Sequence, residues 1–350
     1  MLVYPDSLSA IGKTPLIKLK KASALTGCDI YGKAEFMNPG GSVKDRAALF
    51  IVQDAIKSGR LKPGGTIVEG TAGNTGIGLA VVANAMGFKC VIVIPETQTP
   101  EKKNTLRMMG ATLVEVPAAP FSSPNNYQHI ARRLANQLNQ SEPNGAVFAE
   151  QFDNVANRQA HIETTAPELW QQTDGKIDAF VSAVGTGGTL AGTGIGLKDF
   201  NKDIQIVLAD PPGASLYNYY AHGELKAEGG SITEGIGQSR ITANLEGAPV
   251  DDQFLIPDQE SVPIVFDLLK DEGLCMGTSV GVNVAATIKW AQKAGPGKTI
   301  CTMLCDGGQR YASKLFNPDF LKSKDLPVPS WLLNNSNQNL PFDIPFEETS

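Results

Sequence analysis

Three glycine-rich segments of the chain combine glycines with a lysine, threonines or an asparagine. The first is NPGGSVKDR (38–46), in which Lys44 lies between a Pro-Gly-Gly turn and an apolar helical pattern. The others are EGTAGNTGIGLA (69–80) and AVGTGGTLAGTG (183–194). A lysine amine forms Schiff bases with aldehydes, and a glycine turn that opens a helix offers N–H groups to a phosphate or carboxylate. These segments predict a lysine anchor beside two anion-binding loops.

Structural explanations compete with this prediction. Glycine turns follow the strands of many α/β proteins without binding a ligand, and Lys44 would then be a solvated lysine paired with Asp45. The phosphate-loop pattern is absent, because Asp45 follows the lysine. A dinucleotide site is the better rival: GTGGTL begins at Gly185 and Asp210 ends the next strand, although Leu190 occupies the place of the third glycine.

The elements that must position these loops are short β-branched strands alternating with helical patterns. Nine strands are predicted, at 29–36, 66–69, 90–94, 112–116, 146–150, 179–184, 204–209, 253–256 and 299–304. Helical patterns that follow the loops end at Gly59, Gly87 and Gly295, where a helix favours a left-handed residue. Continuously apolar strands between helices predict an α/β fold with parallel sheets covered on both faces.

Loop-like segments at 118–126 and 139–145 suggest a division of the chain. We predict a first α/β domain at 1–148, whose initial segment packs on the other domain, and a second at 149–318. The tail, 319–350, is rich in Asn, Pro and Ser, and its Trp331 and neighbouring leucines predict that part of it docks on the protein.

Composition restricts the class of partner. The 350 residues are 42% hydrophobic and 19% charged, with a formal net charge of −6. A net negative chain without a dense basic patch argues against nucleic acid and anionic membranes, and no segment is long and apolar enough for a membrane span. Five cysteines in apolar surroundings, with no ligand spacing, indicate a reducing cytoplasm and no metal site.

Seven ordered motifs resemble one family. They are IGKTPLIKL, NPGGSVKDRAA, GNTGIGLA, EQFDNVANRQAHIETTAPELW, GTGGTLAG, EGIGQ and GTSVGVNVAA, spread from about residue 8 to residue 316. The chain resembles the cysteine synthase (O-acetylserine sulfhydrylase) family of fold-type II pyridoxal-phosphate enzymes, which is related to cystathionine β-synthase. The resemblance implies two α/β domains of the tryptophan-synthase-β-like class, with pyridoxal 5'-phosphate in the cleft between them.

The resemblance also implies roles for individual residues. Lys44 matches the lysine that holds the cofactor and moves protons at the substrate's Cα and Cβ, and Asn74 matches the asparagine that binds the ring hydroxyl. The residues that match the phosphate cup are Gly185, Thr186, Gly187, Gly188 and Thr189. Those that match the substrate-binding positions, most of them receiving the substrate carboxylate, are Thr71, Gly73, Thr75, Gln151 and, at the mouth, Gly235.

The implied reaction is β-replacement. O-acetyl-L-serine would lose acetate to give an aminoacrylate, to which sulfide adds to form L-cysteine. The implied partners are the amino-acid substrate, sulfide, a second copy of the chain and serine acetyltransferase. Alternatives are an L-cysteine desulfhydrase, which releases sulfide, pyruvate and ammonia, and, more distantly, an NAD(P)-dependent oxidoreductase or a binding protein without catalysis.

Two positions depart from the family pattern. Ala72 replaces the serine of T-S-G-N-T, which removes a hydroxyl from the predicted carboxylate loop. Gly307, in CDGGQRY, replaces the serine of P-x-S-G-E-R-Y that we expect to face the cofactor's ring nitrogen. These departures leave open which group meets that nitrogen. His161 resembles a catalytic base in type, but its place on a helical pattern favours a hydrogen-bonded structural role.

Overall fold

A computed structural model describes residues 3–333, which contain ten strands in two sheets. In chain order the strands are β1 (Leu16–Lys18), β2 (Asp29–Lys33), β3 (Thr66–Gly70), β4 (Lys89–Pro95), β5 (Thr112–Val116), β6 (Ala146–Phe148), β7 (Ala179–Ala183), β8 (Gln205–Asp210), β9 (Asp252–Leu255) and β10 (Thr299–Met303). One sheet has the order β1-β2-β10-β7-β8-β9 and the other β5-β4-β3-β6. All neighbours are parallel except β1 and β2.

Helices connect and cover the strands. They are α1 (Lys20–Thr26), α2 (Lys44–Lys57), α3 (Asn74–Met86), α4 (Pro100–Met108), α5 (Tyr127–Ser141), α6 (Ala156–Ala160), α7 (Ala166–Gln172), α8 (Gly188–Phe200), α9 (Leu216–His222), α10 (Asp258–Glu272), α11 (Thr278–Ala294), α12 (Pro318–Ser323) and α13 (Ser330–Leu333). A π-helical turn, His161–Thr165, joins α6 to α7, and 3₁₀ turns occur at Leu8–Ala10, Glu35–Met37 and Gly308–Tyr311.

The predicted α/β fold with parallel sheets is confirmed, and all nine predicted strands are present. Gly59, Gly87 and Gly295 follow α2, α3 and α11 with positive φ, as predicted for helix ends. Strand β1 was not predicted. Its three residues carry no usable alternation, and it becomes a strand because it pairs with β2 through Ile17 and Gly32.

The beginning of the chain belongs to the six-stranded sheet, because β2 pairs in parallel with β10. Residues 66–148 supply the four-stranded sheet. A buried ionic cluster links the segments: the Arg46 guanidinium contacts Glu35 at 2.8 Å and Glu168 at 2.7 Å, and Lys33 contacts Glu168 at 2.6 Å. Removing one partner would leave buried charge uncompensated. The domain boundary near residue 148 stays a prediction.

Each sheet has its own apolar core. Ile67, Ile77 and Ile92 are fully buried where α3 covers the four-stranded sheet. Ile30 and Val280 are fully buried in the core of the six-stranded sheet. Burial of each such side chain contributes roughly 1.5–3 kcal/mol. These cores fix the strand ends from which the glycine-rich loops emerge.

The described part of the tail docks on α10, as the sequence predicts for Trp331. Its indole contacts the rings of Phe266 and Phe316, with centroids 6.2 and 6.4 Å apart. Leu321 and Leu326 are buried in the same cluster. The rest of the predicted tail, 334–350, lies outside the described residues. No helix among residues 3–333 has the length and apolarity to cross a membrane.

Candidate active site

The predicted site residues surround two adjoining cavities at the carboxyl ends of β3 and β7. The outer cavity has a volume of about 280 Å³ and is lined by Lys44, Gln151, Gly235 and the loop 71–75. The inner cavity is lined by Lys44, Asn74 and most of the 185–189 segment. Lys44, Asn74, Gly185, Thr186 and Gly235 line both cavities. Ligands of open α/β sheets bind at such strand ends.

Lys44 is the first residue of α2, and its neighbours anchor it. Asn38 donates hydrogen bonds to the Glu35 and Ser42 carbonyl oxygens at 2.9 and 3.1 Å, which fixes the preceding turn. Arg46 is held in the buried ionic cluster. Within residues 3–333 the half-buried Lys44 amine has no hydrogen-bond or ion-pair partner. The sequence thus secures the backbone on both sides and leaves the amine available for a ligand.

The segment from Gly185 to Thr189 follows β7 and opens α8. The first N–H groups of a helix lack partners within the helix, and they carry its positive dipole. Gly187 has φ +94°, and a Cβ there would lie 2.7 Å from the Leu245 Cβ. The Thr186 carbonyl accepts from the Thr242 hydroxyl at 2.7 Å. The loop is therefore fixed by close packing at its glycines, and the N–H groups at the start of α8 form a cradle that suits a phosphate.

His161 supports this cradle from behind. Its Nε2 lies 3.2 Å from the Thr189 hydroxyl and its Nδ1 lies 2.8 Å from the Thr165 hydroxyl. Burial lowers the pKa of His161 to about 3, with a further contribution from Arg46. The imidazole is therefore neutral at pH 7, and it lines neither cavity, in line with a structural role.

The loop 71–75 follows β3 and opens α3. Thr75 donates to the Gln151 side-chain oxygen at 2.5 Å, and the Gln151 amide donates to the Gly70 carbonyl at 3.0 Å. Gly73 has φ +140°, and a Cβ there would lie 2.8 Å from the Lys102 side chain. The Thr71 hydroxyl accepts from the Gly73 N–H at 3.1 Å. Two hydroxyls and a helix start therefore meet beside the cavity, which suits a carboxylate.

Glu69 lies directly behind this loop. It is fully buried, and it accepts from the Gln151 backbone N–H at 3.1 Å. Burial is the largest cause of a pKa raised to about 8 for its carboxyl. Glu69 is therefore largely protonated at pH 7 and carries little charge behind the substrate loop.

Both departures from the family pattern have a structural counterpart. With its amide oriented to suit its neighbours, Gln98 donates to the Ala72 carbonyl at 3.0 Å, so the backbone at Ala72 is still held. Gly307 lines neither cavity. Ser279 provides a hydroxyl in the inner cavity instead, at the start of α11. The GTSVG motif contained that signal, but nothing in the sequence assigned its serine to the cavity.

The mouth of the outer cavity contains residues that the sequence did not predict. Arg240 forms two hydrogen bonds with the Asp153 carboxylate, at 3.0 and 2.7 Å. Its guanidinium lies 5.0 Å from the Phe121 ring and 5.8 Å from the Phe152 ring. Because no shared motif marks these side chains, only the folded chain reveals that they form one wall.

A second lysine, Lys102, also lines the outer cavity. It is almost fully buried, pairs with Glu234 at 2.5 Å and lies 4.4 Å above the Tyr311 ring. The Lys102 amine is thus already occupied by a carboxylate, whereas that of Lys44 is free. This contrast leaves Lys44 as the cavity lysine suited to a Schiff base.

The donor set fits pyridoxal phosphate. The cradle at 185–189 suits the phosphate of the cofactor, and the unpartnered Lys44 amine suits its aldehyde. Asn74 and Ser279 offer polar groups for the ring. Nothing in this arrangement calls for a metal, and among residues 3–333 no three His, Cys, Asp or Glu side chains are grouped as metal ligands.

Comparison with known proteins gives one consistent answer. Residues 8–306 match the family of pyridoxal-phosphate dependent enzymes. Cysteine synthase 1 of Neurospora crassa is 53% identical over 322 residues, covering 91% of this chain and 84% of that protein. The crystal structure of O-ureido-L-serine synthase superposes with a TM-score of 0.81 at 34% identity, covering 92% of this chain and 100% of that one. The crystal structure of O-acetylserine dependent cystathionine beta-synthase from Helicobacter pylori superposes with a TM-score of 0.79 at 34% identity, covering 90% of this chain and 99% of that one.

Proposed function

The chain belongs to the family of pyridoxal-phosphate-dependent enzymes that includes the cysteine synthases, and from that premise we propose how its site works. The protein is a cysteine synthase that replaces the acetate of O-acetyl-L-serine with sulfide to give L-cysteine. One observation supports the assignment of its residues above all: the Lys44 amine, without a partner among residues 3–333, lines the same cleft as the glycine-rich segment 185–189 and the loop 71–75.

Each part of the cleft has a task. Bound pyridoxal phosphate supplies an electron sink that stabilises negative charge at the substrate's Cα. The segment 185–189 would hold its phosphate, Asn74 its ring hydroxyl and Ser279 the far end of the ring. The loop 71–75 would hold the substrate carboxylate, with Gln151 fixing the Thr75 hydroxyl. Together these contacts orient the substrate's Cα toward the lysine.

Lys44 performs the proton transfers in this proposal. Its amine would hold the cofactor through the aldehyde, and with substrate bound the same amine would take up the proton at the substrate's Cα. The secured backbone on either side keeps the amine within reach of Cα. Phe121, Phe152 and Arg240 form one wall of the outer cavity, beside which the substrate would lie.

The test is the visible spectrum of the purified protein with pyridoxal phosphate, before and after O-acetyl-L-serine and then sulfide. We expect a yellow protein whose band shifts with O-acetyl-L-serine and returns with sulfide as cysteine forms. Lys44→Ala should lose cysteine formation by about 100- to 10,000-fold, because it removes the proton-transfer group. A band indifferent to O-acetyl-L-serine, with pyruvate and sulfide released from cysteine, would establish the desulfhydrase instead.

Assembly and location are further proposals. The resemblance supports a homodimer and an association with serine acetyltransferase, both of which light scattering of the full chain, alone and with that enzyme, would test. All five cysteines are free thiols and three are buried, which supports a reducing compartment such as the cytoplasm.

A further inference from the structure

The Asn74 side chain is held from two sides by oppositely charged residues. The Arg310 guanidinium donates to its Oδ1 at 2.6 Å, and its Nδ2 donates to the Asp306 Oδ2 at 2.7 Å. Arg310 is itself fixed by donating to the Gly40 carbonyl. Both charged residues follow β10, whereas Asn74 begins α3. The contact thus joins the two sides of the cleft behind the cavities.

These partners allow only one orientation of the amide. A guanidinium can only donate and a carboxylate can only accept. A flipped amide would place its oxygen against Asp306 and its NH₂ group against Arg310, which loses two charge-assisted hydrogen bonds. The second Nδ2 hydrogen is left for a ligand, and Asn74 lines both cavities. Asn74 is therefore fixed as a donor toward the cleft.

Asp306 also brings negative charge close to the cleft. Its side chain is 1% exposed, and its Oδ2 accepts a second hydrogen bond from the Tyr311 hydroxyl at 2.6 Å. Its Oδ1 is buried without a hydrogen-bond partner among the described residues. A buried carboxylate is little screened by water, so its charge acts on groups one hydrogen bond away.

We propose that Asp306 and Arg310 are positioning residues that hold Asn74 as a donor to the cofactor and, through their opposite charges, set the proton affinity of the cofactor joined to Lys44. This inference rests on the proposed function. Asp306 stabilises the protonated, more positive form of the lysine-linked cofactor, and Arg310 opposes it. The balance between them determines over which pH range the substrate amine meets the protonated form.

Other ionisable groups near these residues do not replace their effect. The titratable and charged groups that surround them are Lys44, Asp45, Lys102, Glu234, Cys305 and Tyr311. Burial raises the pKa of Cys305 to about 11 and that of Tyr311 well above 10, so both are neutral at pH 7 and Cys305 ionises only at the upper end of a titration to pH 11. Burial raises the pKa of Asp45 to about 7, and Arg310 opposes that rise, so the Asp45 titration moves up in Arg310→Gln. The comparison of Asp306→Asn with the wild type is therefore the one that isolates the contribution of Asp306.

The experiment measures the visible absorbance of the protein loaded with pyridoxal phosphate from pH 6 to 11, and the dissociation constant of the cofactor from the same band. Asp306→Asn should lower the titration midpoint by about 1 unit, since it removes a nearby negative charge. Its dissociation constant should rise about tenfold, since the charge-assisted hydrogen bond from Asn74 to Asp306 becomes a weaker neutral one while Arg310 alone keeps its charge. Arg310→Gln should move the midpoint in the opposite direction.

Asp210→Asn is the matched control. Asp210 is a buried aspartate that also has an unpartnered oxygen, but it lines neither cavity. The Asp210→Asn variant should have the same titration midpoint and the same cofactor dissociation constant as the wild type. If Asp306→Asn does not fold, the inference is tested by Arg310→Gln alone: an upward shift of its titration midpoint supports the inference, and a downward shift or none overturns it.

The inference is overturned if Asp306→Asn matches the wild type in both the titration and the dissociation constant, or if both variants shift the midpoint in the same direction. A wild-type protein that takes up no pyridoxal phosphate would overturn the proposed function as well. The two failures are therefore distinguishable.

Discussion

The inner and outer cavities of the site are built differently. Much of the inner one is lined by the segment from the end of β7 to the start of α8, with small residues such as Gly185, Thr186 and Ser279. The outer one is closed by long side chains from separate loops, including Phe121, Phe152 and Arg240. Backbone at a helix start is fixed by the fold, whereas long side chains adapt to what they contact. We infer that the inner cavity requires a fixed shape and that the outer one adapts to the substrate.

The largest expected effect comes from replacing a glycine of the inner cavity, compared with the same replacement at the mouth of the outer cavity. Gly187 in the cradle and Gly235 at the mouth both have positive φ, but a Cβ meets Leu245 at 2.7 Å in the first case and nothing within 4 Å in the second. Gly187→Ala should therefore lose bound cofactor on dialysis, whereas Gly235→Ala should cost only the backbone strain of about 1–2 kcal/mol. Absorbance after dialysis and thermal unfolding measure both. Equal cofactor loss in the two variants would contradict the comparison.

Removing one hydroxyl from the outer cavity should affect the substrate and spare the cofactor. Thr75→Val keeps the shape but removes the hydroxyl, whose single proton is donated to Gln151 in the structure and would turn to the substrate carboxylate on binding. A hydrogen bond to a charged group contributes about 1.5–3 kcal/mol, so KM for O-acetyl-L-serine should rise about 10- to 100-fold. Thr75→Ser, which keeps the hydroxyl, should stay near the wild type. A colourless Thr75→Val protein would show that the two cavities are not separable.

The smallest effect is expected for Glu69, which lies behind the outer cavity. Its pKa is raised to about 8 by burial, above the ordinary value of 4.5, so between these values the folded state binds more protons than the unfolded one. Stability therefore falls as pH rises through this window. Glu69→Gln should reduce the loss of unfolding free energy between pH 6 and 8.5 by about 1–3 kcal/mol.

Urea unfolding at the two pH values measures this change. Asp45 and Asp210, whose pKa values burial raises to about 7, should keep part of the pH dependence in the variant. An unchanged pH dependence in Glu69→Gln would mean that Glu69 is ionised behind the substrate loop.

Much of the inner cavity could be predicted from local sequence. A glycine-rich segment between a strand and a helix determines its own backbone, which is how the three loops were identified. The resemblance to the family predicted that Lys44, Asn74 and the segment 185–189 share one cleft, and Lys44, Asn74 and most of that segment line the same cavity. Ser279 was not assigned for a different reason. Ser279 lines the cavity only because α11 packs against β7, where Asn283 of α11 accepts a hydrogen bond from the Ala183 N–H, 100 residues away in the chain.

The sequence by itself determined the alternation of strands and helices, the glycine turns and the lysine at the start of α2, because hydrophobic periodicity and turn chemistry act over a few residues. Only the tertiary structure decided that Arg240 meets Phe121 at the mouth, and that Asp306 and Arg310 hold Asn74. These contacts join residues far apart in the chain, and their energy depends on burial and orientation, which no local pattern encodes.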